Sequence, residues 1–166
     1  MVQFISFLVG AEEIPPVCTK SRAVLQLKCG KKSLKYKICV KHIKNVTEAN
    51  LHLGRPGENG PIVATLFRGC TEKIHGQFVK GSIKKKDLRG PLQCSCVQEL
   101  VALIRSGYIY ANINTNQYPN GKIRGQVYPK GDCNYGRDFA DGEFDGRERR
   151  GNRNYADEQV NYDNGY

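Results

Sequence analysis

Asn50-Leu51-His52 and Asn112-Ile113-Asn114 place polar side chains at every second position of two otherwise apolar segments. A period of two puts such groups on one face of a β-strand. On neighbouring strands, Asn50, His52, Asn112 and Asn114 come within reach of one another, and Arg124-Gly125 follows on the next predicted strand. The set admits two chemistries, a metal centre or a hydrogen-bonded support for loops. Imidazole binds zinc or copper well, whereas a carboxamide is a weak ligand for either. His52 is the one imidazole of the set, and His42 and His75 lie in unrelated segments. Asn both donates and accepts, and a forked guanidinium suits loop carbonyls. The residue types therefore point to structural hydrogen bonding, with no metal at these positions.

No other catalytic arrangement is legible. The chain has no Gly-x-Ser-x-Gly elbow, phosphate-binding loop or paired acids in a plausible cleft. No catalytic residue and no cofactor is expected. The seven cysteines are Cys18, Cys29, Cys39, Cys70, Cys94, Cys96 and Cys133, an odd number, so at least one thiol lacks a partner within the chain. Cross-linking between chains is the natural use of such a set. Cys94-Ser95-Cys96 has no second thiolate pair to complete a zinc site.

The elements that position these residues are short strands. Segments 2–10, 22–30, 33–43, 60–67, 76–83, 107–114 and 121–128 are rich in Val, Ile, Tyr, Phe and Leu, and several alternate with polar residues. Leu34, Tyr36, Ile38 and Val40 alternate with Lys35, Lys37 and Lys41 in this way. Seven strands at this spacing predict an antiparallel sandwich. One helix interrupts them: Val97, Leu100, Val101 and Ile104 share a face, Ser95 and Gln98 have capping-box spacing, and Gly107 follows as a stop. Tyr118-Pro119-Asn120-Gly121 holds an Asn-Gly turn signal before the last strand.

The 166 residues carry a net charge of +10, which divides unevenly. Residues 132–166 hold nine acids and five Arg, leaving residues 1–131 at +14. A basic body attracts polyanions or acidic proteins without choosing among them. Lys31-Lys32 and Lys84-Lys85-Lys86 fall where turns or strand edges are expected, and lysines there also prevent edge-to-edge pairing. A nucleic acid is the less favoured partner, since no basic groove with interleaved aromatics is evident. No apolar run is long enough to span a membrane, and the N-terminus lacks the basic start and small-residue cleavage site of a signal peptide. From Asp132 onward aliphatic residues almost vanish, and Tyr135, Tyr155, Tyr162 and Tyr166 punctuate a Gly-, Asn-, Asp- and Arg-rich tail. The expected division is thus a β domain over 1–131 and a flexible tail over 132–166, whose tyrosines and arginines make adhesive contacts.

Three blocks, 7–27, 34–67 and 103–127, resemble in order and spacing the CHRD domain, the module named after chordin. The last block is the most specific, with Gly107, Tyr108, Asn112, Thr115, Tyr118-Pro119, Gly121, Ile123 and Arg124-Gly125-Gln126. The resemblance implies a Greek-key β-sandwich, immunoglobulin-like or superoxide-dismutase-like, found in extracellular proteins and without established catalytic activity. The family's typical Ala-His-Ile-His reads Ala49-Asn50-Leu51-His52 here, and its Asn-Val-His-Thr reads Asn112-Ile113-Asn114-Thr115. Two of its three histidines are Asn.

Together these features predict a non-catalytic, self-associating structural protein of a bacterial surface layer, such as a spore coat or exosporium, cross-linked through cysteines and tail. Its partners would be copies of itself, other layer proteins or an acidic polymer. It would be made in a cytoplasm and deposited on a surface. The alternative is a secreted binding module whose basic face captures an acidic protein or polyanion, with Asn45-Val46-Thr47 as a glycan acceptor in a eukaryotic host.

Overall fold

The computed structural model describes residues 2–131. Cys133 and the four tail tyrosines, Tyr135, Tyr155, Tyr162 and Tyr166, lie outside the described residues. The expected β-rich fold with a single α-helix is present. The strands are β1 (Gln3–Val9), β2 (Arg22–Cys29), β3 (Leu34–Lys44), β4 (Val46–Leu53), β5 (Ile62–Arg68), β6 (Lys73–Ile83), β7 (Ile109–Thr115), β8 (Ile123–Gln126) and β9 (Tyr128–Pro129). Alternation explains most of them: Ala23, Leu25 and Leu27 of β2 are buried and Arg22, Gln26 and Lys28 are exposed.

The strands pair antiparallel in one continuous path, β5-β4-β7-β8-β1-β2-β3-β6, with β9 beside β1. Where a sandwich of two separate sheets was expected, β1 joins the halves. It pairs along its length with β2 and through Val9 with Arg124 of β8. The terminal strands β5 and β6 then approach each other, so the sheet nearly closes into a barrel. Phe67 and Phe78 meet edge to face there at 4.7 Å, and the Tyr36 hydroxyl of β3 donates to the Leu66 carbonyl of β5 at 2.6 Å. Inside lie Phe4, Leu8, Leu25, Ile38, Leu51, Val63, Ile109 and Ile113, all at most 1% exposed.

Strand β4 was not among the expected seven. Its residues 48–53 alternate polar and apolar, but burial does not follow the alternation, because Asn50 on the outward face is as buried as its neighbours Ala49 and Leu51. The helix α1 (Val97–Arg105) buries the four residues predicted for it, and Gly107 has the left-handed φ of 74° expected of a stop. The capping box is a misreading. Helix α1 starts after Cys96 with no side-chain cap, and the Gln98 amide is engaged elsewhere, donating to the Lys31 carbonyl of the β2–β3 turn at 2.9 Å. Lys31 and Lys32 lie in the β2–β3 turn, as predicted, while Lys85 and Lys86 lie in a short 3-10 helix, Lys85–Asp87, just after β6. No described helix is long and apolar enough to cross a membrane.

Candidate functional site

Strands β4, β7 and β8 bring the predicted polar residues together on the face opposite the core. Asn50 pairs in register with Asn112, and Asn112 with Arg124. Glu48 lies opposite Asn114, and His52 opposite Tyr110. The loop 54–60 and the turn after β1 cover this layer, leaving Asn50, Asn112 and Arg124 at 0%, 4% and 2% exposed.

Arg124 is the centre of the arrangement. Its guanidinium donates to Asn59 Oδ1 at 3.1 Å, to the Arg55 carbonyl at 3.1 Å and to the Glu58 carbonyl at 2.6 Å. It also rests 3.5 Å from the centre of the Tyr110 ring, a cation–π contact out of water. His52 stacks on the other side of this chain of contacts, 4.8 Å from Tyr110 and 9° from coplanar with it. Gln126 extends the anchorage, donating to the carbonyls of Gly54 at 3.0 Å and Gly107 at 2.7 Å. Loop 54–60 is thereby tied to the sheet by Arg124 and Gln126.

His52 faces two oxygens, the Gly60 carbonyl at 2.8 Å from Nδ1 and Asn112 Oδ1 at 2.9 Å from Nε2. Burial, the largest influence, holds its pKa below the ordinary histidine value, which favours the neutral ring. A neutral ring donates once. The Gly60 carbonyl and Asn112 Oδ1 both accept, so the neutral ring donates to one of the two. The Asn112 amide nitrogen donates in turn to Asn114 Oδ1 at 3.0 Å and to the Asn120 carbonyl at 3.5 Å. Beside them Asn50 donates to Glu48 at 3.1 Å, and Glu48 pairs with Arg68 at 2.9 Å, the one ion pair among the described residues.

Glu13, from the turn after β1, is a member that the sequence pattern did not reveal. It is 7% exposed and packs over Gly121, whose φ of 138° and missing Cβ make room for the carboxylate. Burial raises its pKa to about 7 against the opposing pull of Arg124. Glu13 Oε1 and Asn50 Oδ1 have no hydrogen-bond partner in the structure. The local signal was weak, because Glu12-Glu13 reads as an ordinary exposed acidic pair.

Among the described residues no three His, Cys, Asp or Glu side chains are placed to hold a metal. His42 and His75, which the sequence did not link, do meet edge to face across β3 and β6 at 6.4 Å. The cysteines are scattered. Cys18, Cys70 and Cys94 are exposed in separate loops, while Cys29, Cys39 and Cys96 are half-buried, and no disulfide joins any two of these six. Cys94, at φ 71°, and Cys96 flank Ser95 just before α1.

Residues 4–127 match the family model of the CHRD domain. No curated protein and no solved structure matches the chain.

Proposed function

The chain belongs to the CHRD domain family, and from that premise we propose that it is a non-catalytic, self-associating structural protein of a bacterial surface layer, such as a spore coat or exosporium. The observation that carries this reading is the outward placement of Cys18, Cys70 and Cys94 on three separate loops. Exposed thiols on separate loops would join one body to several neighbours, and bonds between chains build a layer where bonds within a chain build a single domain. The polar cluster supports the non-catalytic half of the proposal. Its side chains spend their donors on loop carbonyls and on one another, and the loop covers them.

Size-exclusion chromatography with light scattering tests this on the full chain, with and without reductant. Assemblies that shrink on reduction, and that are lost in the triple variant C18S/C70S/C94S, are expected. A monomer near the chain mass of 18.6 kDa under both conditions refutes the reading.

A second reading, a binding module whose basic face takes an acidic partner, is favoured by one feature of the sheet. Strands β1, β2, β3 and β6 together carry eight Lys or Arg and no Asp or Glu. A reductant-insensitive monomer directs attention there.

A further inference from the structure

The outward face of β1, β2, β3 and β6 sets like charges in register at both ends, with Arg22 opposite Lys41 and Lys44 opposite Lys73 at one and two lysine pairs at the other. In register across β2 and β3, Lys28 lies directly opposite Lys35, and Lys37 of β3 lies directly opposite Lys80 of β6. All four side chains are exposed. Directly opposed side chains on one face stand only about 5 Å apart at Cβ, and like charges so placed repel. No carboxylate among the described residues pairs with any of the four. This end of the face thus holds two repulsive pairs side by side, one row apart on neighbouring strands.

Lys28, Lys35 and Lys37 border a depression of about 220 Å³ lined also by Gln3, Gln26 and Lys130 and by Phe4, Leu27 and Tyr36. A backbone hydrogen bond of 2.8 Å from Lys130 to the Gln3 carbonyl brings the fourth cation to its rim. Two glutamine amides, able to donate and to accept, therefore stand among four ammonium groups. That combination suits a chain whose anionic groups alternate with hydroxyls. A single-stranded nucleic acid needs a series of stacking rings, and the exposed ring of this row is Tyr128 alone, beyond Ile5 at its edge.

We propose that this face is a docking surface for a linear anionic polysaccharide, its charged groups seated on Lys28, Lys35, Lys37, Lys80 and Lys130 and its hydroxyls on Gln3 and Gln26. The proposal rests on the binding-module reading and names its occupant. Binding relieves the repulsion within the two lysine pairs, so it also stabilises the fold.

The test uses the full chain in reductant, with a heparin oligosaccharide as the probe and poly-glutamate and oligo-dT as comparators, by titration calorimetry at two salt concentrations. The variant K28Q/K35Q/K37Q is expected to weaken heparin binding roughly eightfold, at a factor of about two for each exposed contact. The variant K20Q/K44Q/K73Q removes the same charge elsewhere and is expected to weaken it less than twofold. Lysine acetylation footprinting of the unaltered protein gives an independent readout, with Lys28, Lys35, Lys37 and Lys130 protected by heparin. Equal loss in both variants, or no selective protection, overturns the proposal. Tighter binding of poly-glutamate or oligo-dT overturns it too while leaving the binding-module reading standing, and binding of no probe overturns both.

Discussion

Replacing Arg124 by Met removes the side chain on which loop 54–60 hangs. Three acceptors lose their donor, Asn59 Oδ1 at 3.1 Å and the Arg55 and Glu58 carbonyls at 3.1 and 2.6 Å, and Tyr110 loses the cation 3.5 Å from its ring centre. A hydrogen bond from a charged donor contributes about 1.5–3 kcal/mol, so three amount to about 5 kcal/mol at the lower end. The acceptors belong to exposed residues and regain water once the loop lifts. The net loss is therefore about 3 kcal/mol, at the lower end for breaking a buried charged network. For a domain of this size that lowers Tm by about 10 °C. Lys at this position keeps the charge but not the fork, and about half the loss is expected for Arg124→Lys. Scanning calorimetry at pH 7 measures both variants. Amide exchange at Gly60, whose N–H donates to the Tyr110 hydroxyl at 3.0 Å, reports whether the loop has opened. A Tm for Arg124→Met within about 3 °C of the parent, or unchanged exchange at Gly60, refutes the account of Arg124 as the anchor.

Two further substitutions examine its surroundings. The Glu13 pKa is raised from 4.5 to about 7, so the folded chain keeps a proton that the unfolded chain has lost, and stability falls as pH rises through that window before levelling off above it. Glu13→Gln stays neutral throughout. It should match the parent near pH 4 and exceed it by about 1–2 kcal/mol at pH 8, the full linkage being reduced by solvent screening. Urea denaturation across this range checks the difference, and parallel curves for the two proteins would sink it. His52, whose lowered pKa gives the opposite slope below about 6.5, is present in both proteins and cancels. Gly121→Ala places a methyl group against the Glu13 carboxylate at a φ of 138°, for an expected loss of about 2–3 kcal/mol. In a Glu13→Ala background the steric part of that loss should be recovered and the backbone part should remain, and an unchanged Tm for the single variant contradicts the packing described.

Much of the architecture was legible because it rests on local pattern. Period-two alternation marked β2 and β3, helical spacing marked α1, and Gly107 marked its end, each a consequence of backbone geometry that neighbouring residues specify. Strand β4 alternates as well, from Glu48 to Leu53, but was not among the expected strands, and the pattern failed at Ser95 and Gln98, whose spacing fits a cap although Gln98 reaches the β2–β3 turn instead.

The sequence alone determined which residues had chemistry to offer: one histidine among asparagines, a forked cation beside a glycine, an excess of lysine and an odd set of thiols. Only the tertiary structure decided what they meet. Glu13 and Arg124 are 111 positions apart in sequence, and the loop from Arg55 to Asn59 is brought to Arg124 by the pairing of β4, β7 and β8. Lys28 against Lys35, and Lys37 against Lys80, are likewise products of register, which a shift of one residue would send to the opposite face. Composition sets the charge, but strand pairing sets its density, because register alone decides which lysines stand opposite one another.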